Sequence, residues 1–250
     1  MNTVERFSNR VENYVKYRPD YPREIIGYLA DEIGLAADWI IADIGCGTGI
    51  SSRMFLENGN SVIGVEPNDT MRRAAVDCLA DFSEFTAIDG TSDATNLPDA
   101  SVDLIVAAQA FHWFDAAATK SEFQRIAKPG GYAVLMWNER SLDATPFLVE
   151  YEEFLKKYST DYESVRHDRL DEKVLADFFA GPIKKQTFEN FQLFDFDGIK
   201  GRVLSASYMP SEADDAYTAM IDELQTIFAK HAQNGIIKVF YDTNLYSSST

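Results

Sequence analysis

A chain of 250 residues, 46% hydrophobic and 25% charged, has enough material for a full core, and one α/β domain carrying an insertion fits this length better than two independent domains. Its 23 Lys and Arg face 40 Asp and Glu, a formal net charge of -17; that field repels phosphate backbones and anionic headgroups and argues against nucleic acid or a membrane surface as partner. No apolar run reaches the roughly 18 residues a membrane helix needs, the opening MNTVERFSNRVENYVKYRPDYP lacks an apolar signal core, and Cys46 and Cys78 show neither disulfide nor metal-ligand spacing, so a cytoplasmic protein without a structural metal is expected.

In chain order, residues 23–35 put Ile25, Ile26, Leu29 and Ile33 on one helical face and stop at Gly34. Residues 39–44 (WIIADI) form a short apolar run suited to a buried parallel strand. A helix over 50–59, a strand over 61–66, a helix over 70–82, a weak strand over 84–88 and a strong one over 102–109 follow. A helix from 117, closed by Pro-Gly-Gly, then leads into a strand over 132–138. This alternation predicts a parallel sheet wound by right-handed crossovers. From residue 141 the alternation stops: an amphipathic helix is expected over 145–159 and a polar stretch to about 182, then a strand over 183–196, a helix over 212–233 and a strand over 236–247. The expected organisation is a single domain, with a helical segment over 1–35, a ligand-binding core over 36–140, a helical insertion over 141–182 lying over the site, and the rest of the sheet over 183–250.

Between the first strand and the next helix stands IADIGCGTG, with Gly45, Gly47 and Gly49 at alternating positions. Glycine there permits the unusual backbone angles of a sharp strand-to-helix turn and close approach of a ligand. A dinucleotide fingerprint wants its third glycine where Ile50 stands. Asp43, just before the turn, would repel a pyrophosphate but can pair with the ammonium of an amino-acid tail. Glu66, at the end of the second strand, occupies the place where an acid accepts from ribose hydroxyls.

The segments IADIGCGTG, VIGVEPN, TSDATNLPDASVDLIVAAQAFHWFD and AKPGGYAVLMWNER, in this order and spacing, resemble the successive motifs of class I S-adenosylmethionine-dependent methyltransferases, in the branch with the type 11 methyltransferase domain. RFSNRVENYVKYRPDYP and QAFHWFD resemble the group that includes trans-aconitate methyltransferase. The likeness is strong over about residues 40–140. It implies a Rossmann-like sheet ordered 3-2-1-4-5-7-6 with its last strand antiparallel, and S-adenosyl-L-methionine as cofactor.

By this resemblance Gly45, Gly47 and Gly49 pass the methionine portion of the cofactor, Asp43 orients that end through water or backbone groups, and Glu66 binds the ribose. Pro67, Asn68 and Met71 wall the adenine, although Met71 equally fits ordinary helix packing. Asp93 accepts from the adenine amine and the Ala94 N–H donates to a ring nitrogen, against the plainer reading of a solvated loop acid. Gln109 stands beside the sulfonium. Tyr14, Tyr17 and Arg18 belong to a segment folded over the cofactor, which puts Arg18 near the methionine carboxylate or an acidic substrate, or simply in solvent. His112 is a general base, an acceptor-positioning group or a neutral core histidine; Trp113 and Phe114 wall the pocket or pack the next helix; Arg140 is a further pocket residue. The activity implied is methyl transfer to a small organic molecule, with a carboxylic acid compatible with Arg18, His112 and Arg140. A cofactor-binding protein without catalysis and a nucleotide-cofactor oxidoreductase are the alternatives, and the oligomeric state is open.

Overall fold

The computed structural model describes residues 11–160, 172–179 and 181–250. Strands β1 (Ile40–Ile44), β2 (Ser61–Val65), β3 (Phe85–Ile88), β4 (Val102–Ala108), β5 (Ala127–Arg140), β6 (Lys184–Phe194) and β7 (Ile237–Ser249) form one sheet in the order β3-β2-β1-β4-β5-β7-β6. The strands from β3 to β5 pair in parallel, and β7 runs antiparallel between β5 and β6. The strand order reverses between β1 and β4, so the ligand crevice expected of such sheets lies at their carboxyl ends.

The helices are α1 (Val11–Tyr17), α2 (Glu24–Ile33), α3 (Ile50–Glu57), α4 (Asp69–Cys78), α5 (Ala116–Ile126), α6 (Pro146–Tyr158), α7 (Glu172–Phe178), α8 (Phe196–Leu204) and α9 (Tyr217–His231). On one face of the sheet Ile25 and Leu29 of α2 and Met54 and Phe55 of α3 pack with Ile41, Val62, Leu104 and Val134. On the other, Phe123 and Ile126 of α5 and Leu175 and Phe178 of α7 join Ile105, Ala133, Leu135 and Trp137. Burial on both faces is why β1 and β4 read as nearly unbroken apolar runs. A third cluster joins Phe147, Tyr151 and Phe154 of α6, Ile199 and Val203 of α8 and Met220 and Leu224 of α9 to Phe194, Val239 and Tyr241. This helical layer packs on the β7–β6 side of the sheet.

Several boundaries differ from expectation. α5 stops at Ile126, and Ala127–Gly131 already belongs to β5, five residues earlier than the strand expected from Tyr132. Pro129 has no N–H to continue a helix and biases Lys128 to extended backbone; a register shift between Val102 and Leu104 absorbs the irregularity. The long helix expected from residue 212 starts at Tyr217. α8 was unassigned in sequence: Gly198 and Gly201 lower its helix propensity, yet Asp195 caps it by accepting from Gly198 N–H at 2.7 Å. Residues 1–10 of the expected N-terminal segment and 161–171 of the expected insertion lie outside the described residues. Among the described residues no helix is long and apolar enough to cross a membrane.

Candidate active site

The turn after β1 is built from positive-φ glycines: Gly45 at 70°, Gly47 at 56° and Gly49 at 83°. Space matters as much as angle. A Cβ on Gly45 would stand 2.7 Å from Ala110 Cβ, and one on Gly49 would stand 2.5 Å from Leu79 Cδ1. Asp43 is fully buried behind the turn, where Oδ2 accepts from Ser51 Oγ at 2.7 Å and Ser52 Oγ at 2.6 Å. Burial raises its pKa, and the two serine hydrogen bonds partly oppose that shift. The carboxylate expected to meet a ligand's ammonium therefore ties β1 to the first turn of α3 and does not line the cavity.

Glu66, directly after β2, performs a similar cross-link on the other side. Oε2 accepts from Gly47 N–H and Oε1 from Asn68 N–H, both at 2.9 Å. Each oxygen keeps a lone pair for a further donor. Burial raises the Glu66 pKa against these two backbone bonds. Asn68 in turn caps α4, its Oδ1 accepting from Thr70 N–H at 3.0 Å and Met71 N–H at 3.1 Å. Met71 is buried, its methyl 3.5 Å from where a Cβ on Gly47 would lie, so it packs on the glycine turn itself. Pro67 is half-buried between these groups.

The loop after β3 is organised differently from expectation. Ala94 N–H donates to Thr91 O at 3.2 Å in a short bridge, so it is already engaged and does not present itself to a ring nitrogen; Asp93 is exposed at the tip of that bridge. Glu122 of α5 fixes the loop from below, its Oε1 accepting from Thr95 N–H at 2.8 Å and Thr95 Oγ1 at 2.5 Å. Arg125 hydrogen-bonds to both Glu122 oxygens and, with Thr95, pulls the carboxyl down to about 2.

A cavity of about 630 Å³ opens at the carboxyl ends of β1, β4 and β5. Of the residues singled out in sequence, Gly45, Gly47, Gln109, His112, Trp113, Tyr14, Arg18 and Arg140 line it. Asp43, Gly49, Glu66, Pro67, Asn68, Met71, Asp93, Ala94 and Tyr17 do not. Gln109 ends β4 with φ of 55°, its N–H donating to Met136 O at 2.8 Å and its side chain to Asn138 O at 3.0 Å. Such a non-glycine residue in left-handed backbone is the kind of local strain that collects at functional sites. His112 sits in the one-turn 3-10 helix 111–113, its ring 4.8 Å from that of Trp113. Phe114 packs on Phe111 and lies against Gly45.

Cations line the cavity as well. Arg18, in the turn after α1, donates from Nη2 to Ser205 O at 3.2 Å and lies 4.8 Å over the Tyr14 ring. Arg140, at the end of β5, is paired with Glu152 of α6 at 2.5 Å, with only 10% and 6% of the two side chains exposed. Its charge is thus matched by a buried carboxylate, which corrects the expectation of Arg140 as a cation awaiting a substrate acid. Tyr17 lies on α8, where a Cβ on Gly201 would collide with its ring; this contact docks α1 beside the cavity. Sequence reasoning missed Tyr21, Trp137, Asn138, Arg202 and Tyr208, all of which line the cavity. Trp137 and Asn138 stand near the carboxyl end of a predicted strand and were accessible to that rule; Arg202 and Tyr208 belong to and follow the unassigned α8.

The methyltransferase domain family model matches residues 42–135. An uncharacterised methyltransferase of Mycobacterium tuberculosis is 30% identical over 226 residues, 90% of this chain and 86% of its own length. A methyltransferase-like protein of Schizosaccharomyces pombe is 28% identical over 255 residues, 98% of this chain and 95% of its own. Among solved structures, a protein assigned as a type II methyltransferase from Anaeromyxobacter dehalogenans superposes with a TM-score of 0.70 at 21% identity, covering 93% of this chain and 98% of that one. The phosphoethanolamine N-methyltransferase 2 of Haemonchus contortus, solved in complex with S-adenosyl-L-methionine, superposes with a TM-score of 0.53 at 15% identity, over 99% of this chain and 56% of that one.

Proposed function

The chain belongs to the class I S-adenosylmethionine-dependent methyltransferases, and we propose that it methylates a small anionic organic molecule, with carboxylic acids as the first class to test. The observation that carries the acceptor class is the cavity wall: in a chain of net charge -17, Arg18, Arg140 and Arg202 line the same cavity as Gly45 and Gly47. Arg140 is answered by Glu152, so Arg18 and Arg202 are the cations to which an anionic acceptor would bind.

Several features support the cofactor reading. Gly45 and Gly47 leave no side chain between backbone and cavity, and Glu66 sits beside them with acceptor capacity left over. When bound, S-adenosylmethionine supplies a methyl group already activated on a sulfonium. In the assignment proposed here Gly45, Gly47 and Gly49 give the methionine portion close backbone approach. Asp43 acts indirectly by holding Ser51 and Ser52, Glu66 accepts from the ribose, and Pro67, Asn68 and Met71 flank the base. Asp93 takes the base edge through its side chain, while the Ala94 N–H stays in its bridge. The segment with Tyr14, Tyr17 and Arg18 and the α6–α8–α9 layer cover the cavity.

The chain's own contribution to transfer is alignment and exclusion of water, which can account for much of the barrier reduction in such a displacement. Trp113, Trp137 and Tyr208 supply apolar wall; Gln109 holds the end of β4 rigid. In this assignment His112 accepts a proton from a hydroxyl or carbon acid, whereas an ionised carboxylate needs no base. An oxidoreductase reading is disfavoured by Ile50 at the third fingerprint position.

The test is formation of S-adenosylhomocysteine from S-adenosylmethionine with a panel of small mono-, di- and tricarboxylic acids, each run beside its amide. Turnover with acids and not with amides is expected. Turnover with amines or neutral alcohols alone would overturn the acceptor class.

A further inference from the structure

Three guanidiniums reach the cavity, and their environments differ. Arg140 meets Glu152. Arg18 and Arg202 arrive from separate elements, the turn after α1 and the body of α8, and both converge on Ser205. Arg18 Nη2 donates to its carbonyl at 3.2 Å, and Arg202 Nη1 is 3.4 Å from its hydroxyl. No ion pair with a carboxylate is formed by either among the described residues, and the Nε of each is buried without a hydrogen-bond partner. The Ser205 hydroxyl is itself committed, donating to Arg202 O at 2.7 Å. The surroundings are aromatic: Tyr14 under Arg18, with Tyr208 in the same wall. Burial first, and then the charge of Arg202, pull the Arg18 pKa below its ordinary value, whereas at Arg202 burial is outweighed by Tyr241, Tyr151 and Tyr208, with a hydrogen bond to Tyr241, which hold its pKa above the ordinary value. The acids that also line the cavity, Glu139, Asp143 and Asp242, are half-buried or exposed.

Both arginines are half-buried, and two neighbouring cations whose buried Nε donors stay unused form a ready seat for an anion. We infer that Arg18 and Arg202 form a two-guanidinium subsite, positioned by Ser205, that grips a carboxylate of the methyl acceptor, and that Arg202 is the residue selecting acidic acceptors. This rests on the methyltransferase reading above and adds a restriction on the substrate. A carboxylate held by two guanidiniums has its lone pairs engaged and serves as a handle, so the atom that attacks the methyl carbon is a different group of the same molecule. The acceptor is therefore bifunctional: a dicarboxylic acid, a hydroxy acid or an amino acid, in preference to a simple fatty acid.

The experiment uses the full chain with S-adenosylhomocysteine bound, and reads the fluorescence of the cavity tryptophans Trp113 and Trp137 while acetate, succinate or citrate is added. Arg202→Gln, Arg202→Lys and wild type are compared, each first shown to unfold cooperatively. Saturable binding of succinate or citrate by wild type is expected, weakened roughly tenfold or more in Arg202→Gln and less in Arg202→Lys. Affinity for S-adenosylhomocysteine should stay within about twofold of wild type. Once an acceptor is known, the same loss should appear in KM more than in kcat. Equal carboxylate binding by wild type and Arg202→Gln overturns the subsite, as does failure of every carboxylate to bind wild type. A parallel loss of S-adenosylhomocysteine affinity in Arg202→Gln would assign the pair to the cofactor and overturn it too. If S-adenosylhomocysteine itself fails to bind wild type, the methyltransferase reading falls, and the carboxylate titration of the free protein still judges the subsite.

Discussion

Replacing Glu66 by glutamine keeps size and shape and removes one charge. In the native turn the carboxylate receives Gly47 N–H on one oxygen and Asn68 N–H on the other, each at 2.9 Å. A glutamine can receive only one of them and points its amide NH₂ at the other, so a backbone donor faces a donor. An unmade buried hydrogen bond costs about 1–3 kcal/mol. Relief of a desolvated charge offsets part of this, because burial already raises the Glu66 pKa above its ordinary 4.5. A net loss of about 1 kcal/mol is expected, lowering Tm by about 2–4 °C in a chain of this size.

Ligand affinity should suffer more. Losing a charge-assisted bond from the ribose removes about 1.5–3 kcal/mol, roughly 10- to 150-fold in Kd. The pH dependence has a definite sign. With the folded pKa raised, the carboxylate that receives the ligand protonates as pH falls through a value above 4.5, so wild-type affinity declines there while Glu66→Gln stays flat. For the free protein the raised pKa favours the fold below the unfolded pKa, and that contribution is lost as pH rises through the folded one. Thermal unfolding of both proteins and calorimetric titration with S-adenosylhomocysteine across this range provide the readouts. Equal affinities and parallel pH profiles for the two would refute the role given to Glu66.

Gly49→Ala forces a side chain into left-handed backbone and 2.5 Å from Leu79 Cδ1, a cost of roughly 2–4 kcal/mol in chemical denaturation; a loss under about 1 kcal/mol would mean that the turn relaxes easily. Gly201→Ala sets about 0.8–1 kcal/mol of helix propensity against eviction of the Tyr17 ring from α8. Near-native stability with faster tryptic cleavage after Lys16 is expected, and unchanged cleavage would show that α1 docks without this contact. Glu122 has its folded pKa depressed from 4.5 to about 2, so its stabilisation is present above about 4.5 and is lost as pH falls toward about 2. Glu122→Gln should therefore lower Tm at neutral pH and shrink its gap from wild type on acidification; a gap independent of pH would contradict that linkage.

The parts of this fold that could be read from the chain are those where one residue's job is local. Gly45, Gly47 and Gly49 announce a turn because their backbone angles suit glycine, and the runs around Ile41 and Leu104 announce strands because both sheet faces are covered. What escaped depends on contacts distant in sequence. Gly201 looks like a helix breaker until the Tyr17 ring is placed on it, which is why α8, and with it Arg202, went unassigned. Arg140 reads as an open cation until Glu152 arrives from the next helix, and Ala94 as an open donor until its bridge to Thr91 forms. Asp43 reads as special from its place before the turn, but its partners Ser51 and Ser52 become visible only once α3 is folded back on β1.

The most direct test of the account is a calorimetric titration of the purified chain with S-adenosylhomocysteine and, separately, with NADH, accompanied by thermal unfolding. Saturating ligand at a hundredfold excess over Kd should raise apparent stability by about 2.7 kcal/mol. S-adenosylhomocysteine is predicted to bind one to one and stabilise the chain, with NADH giving neither heat nor protection. Stabilisation by NADH alone would contradict the cofactor assignment and every role built on it.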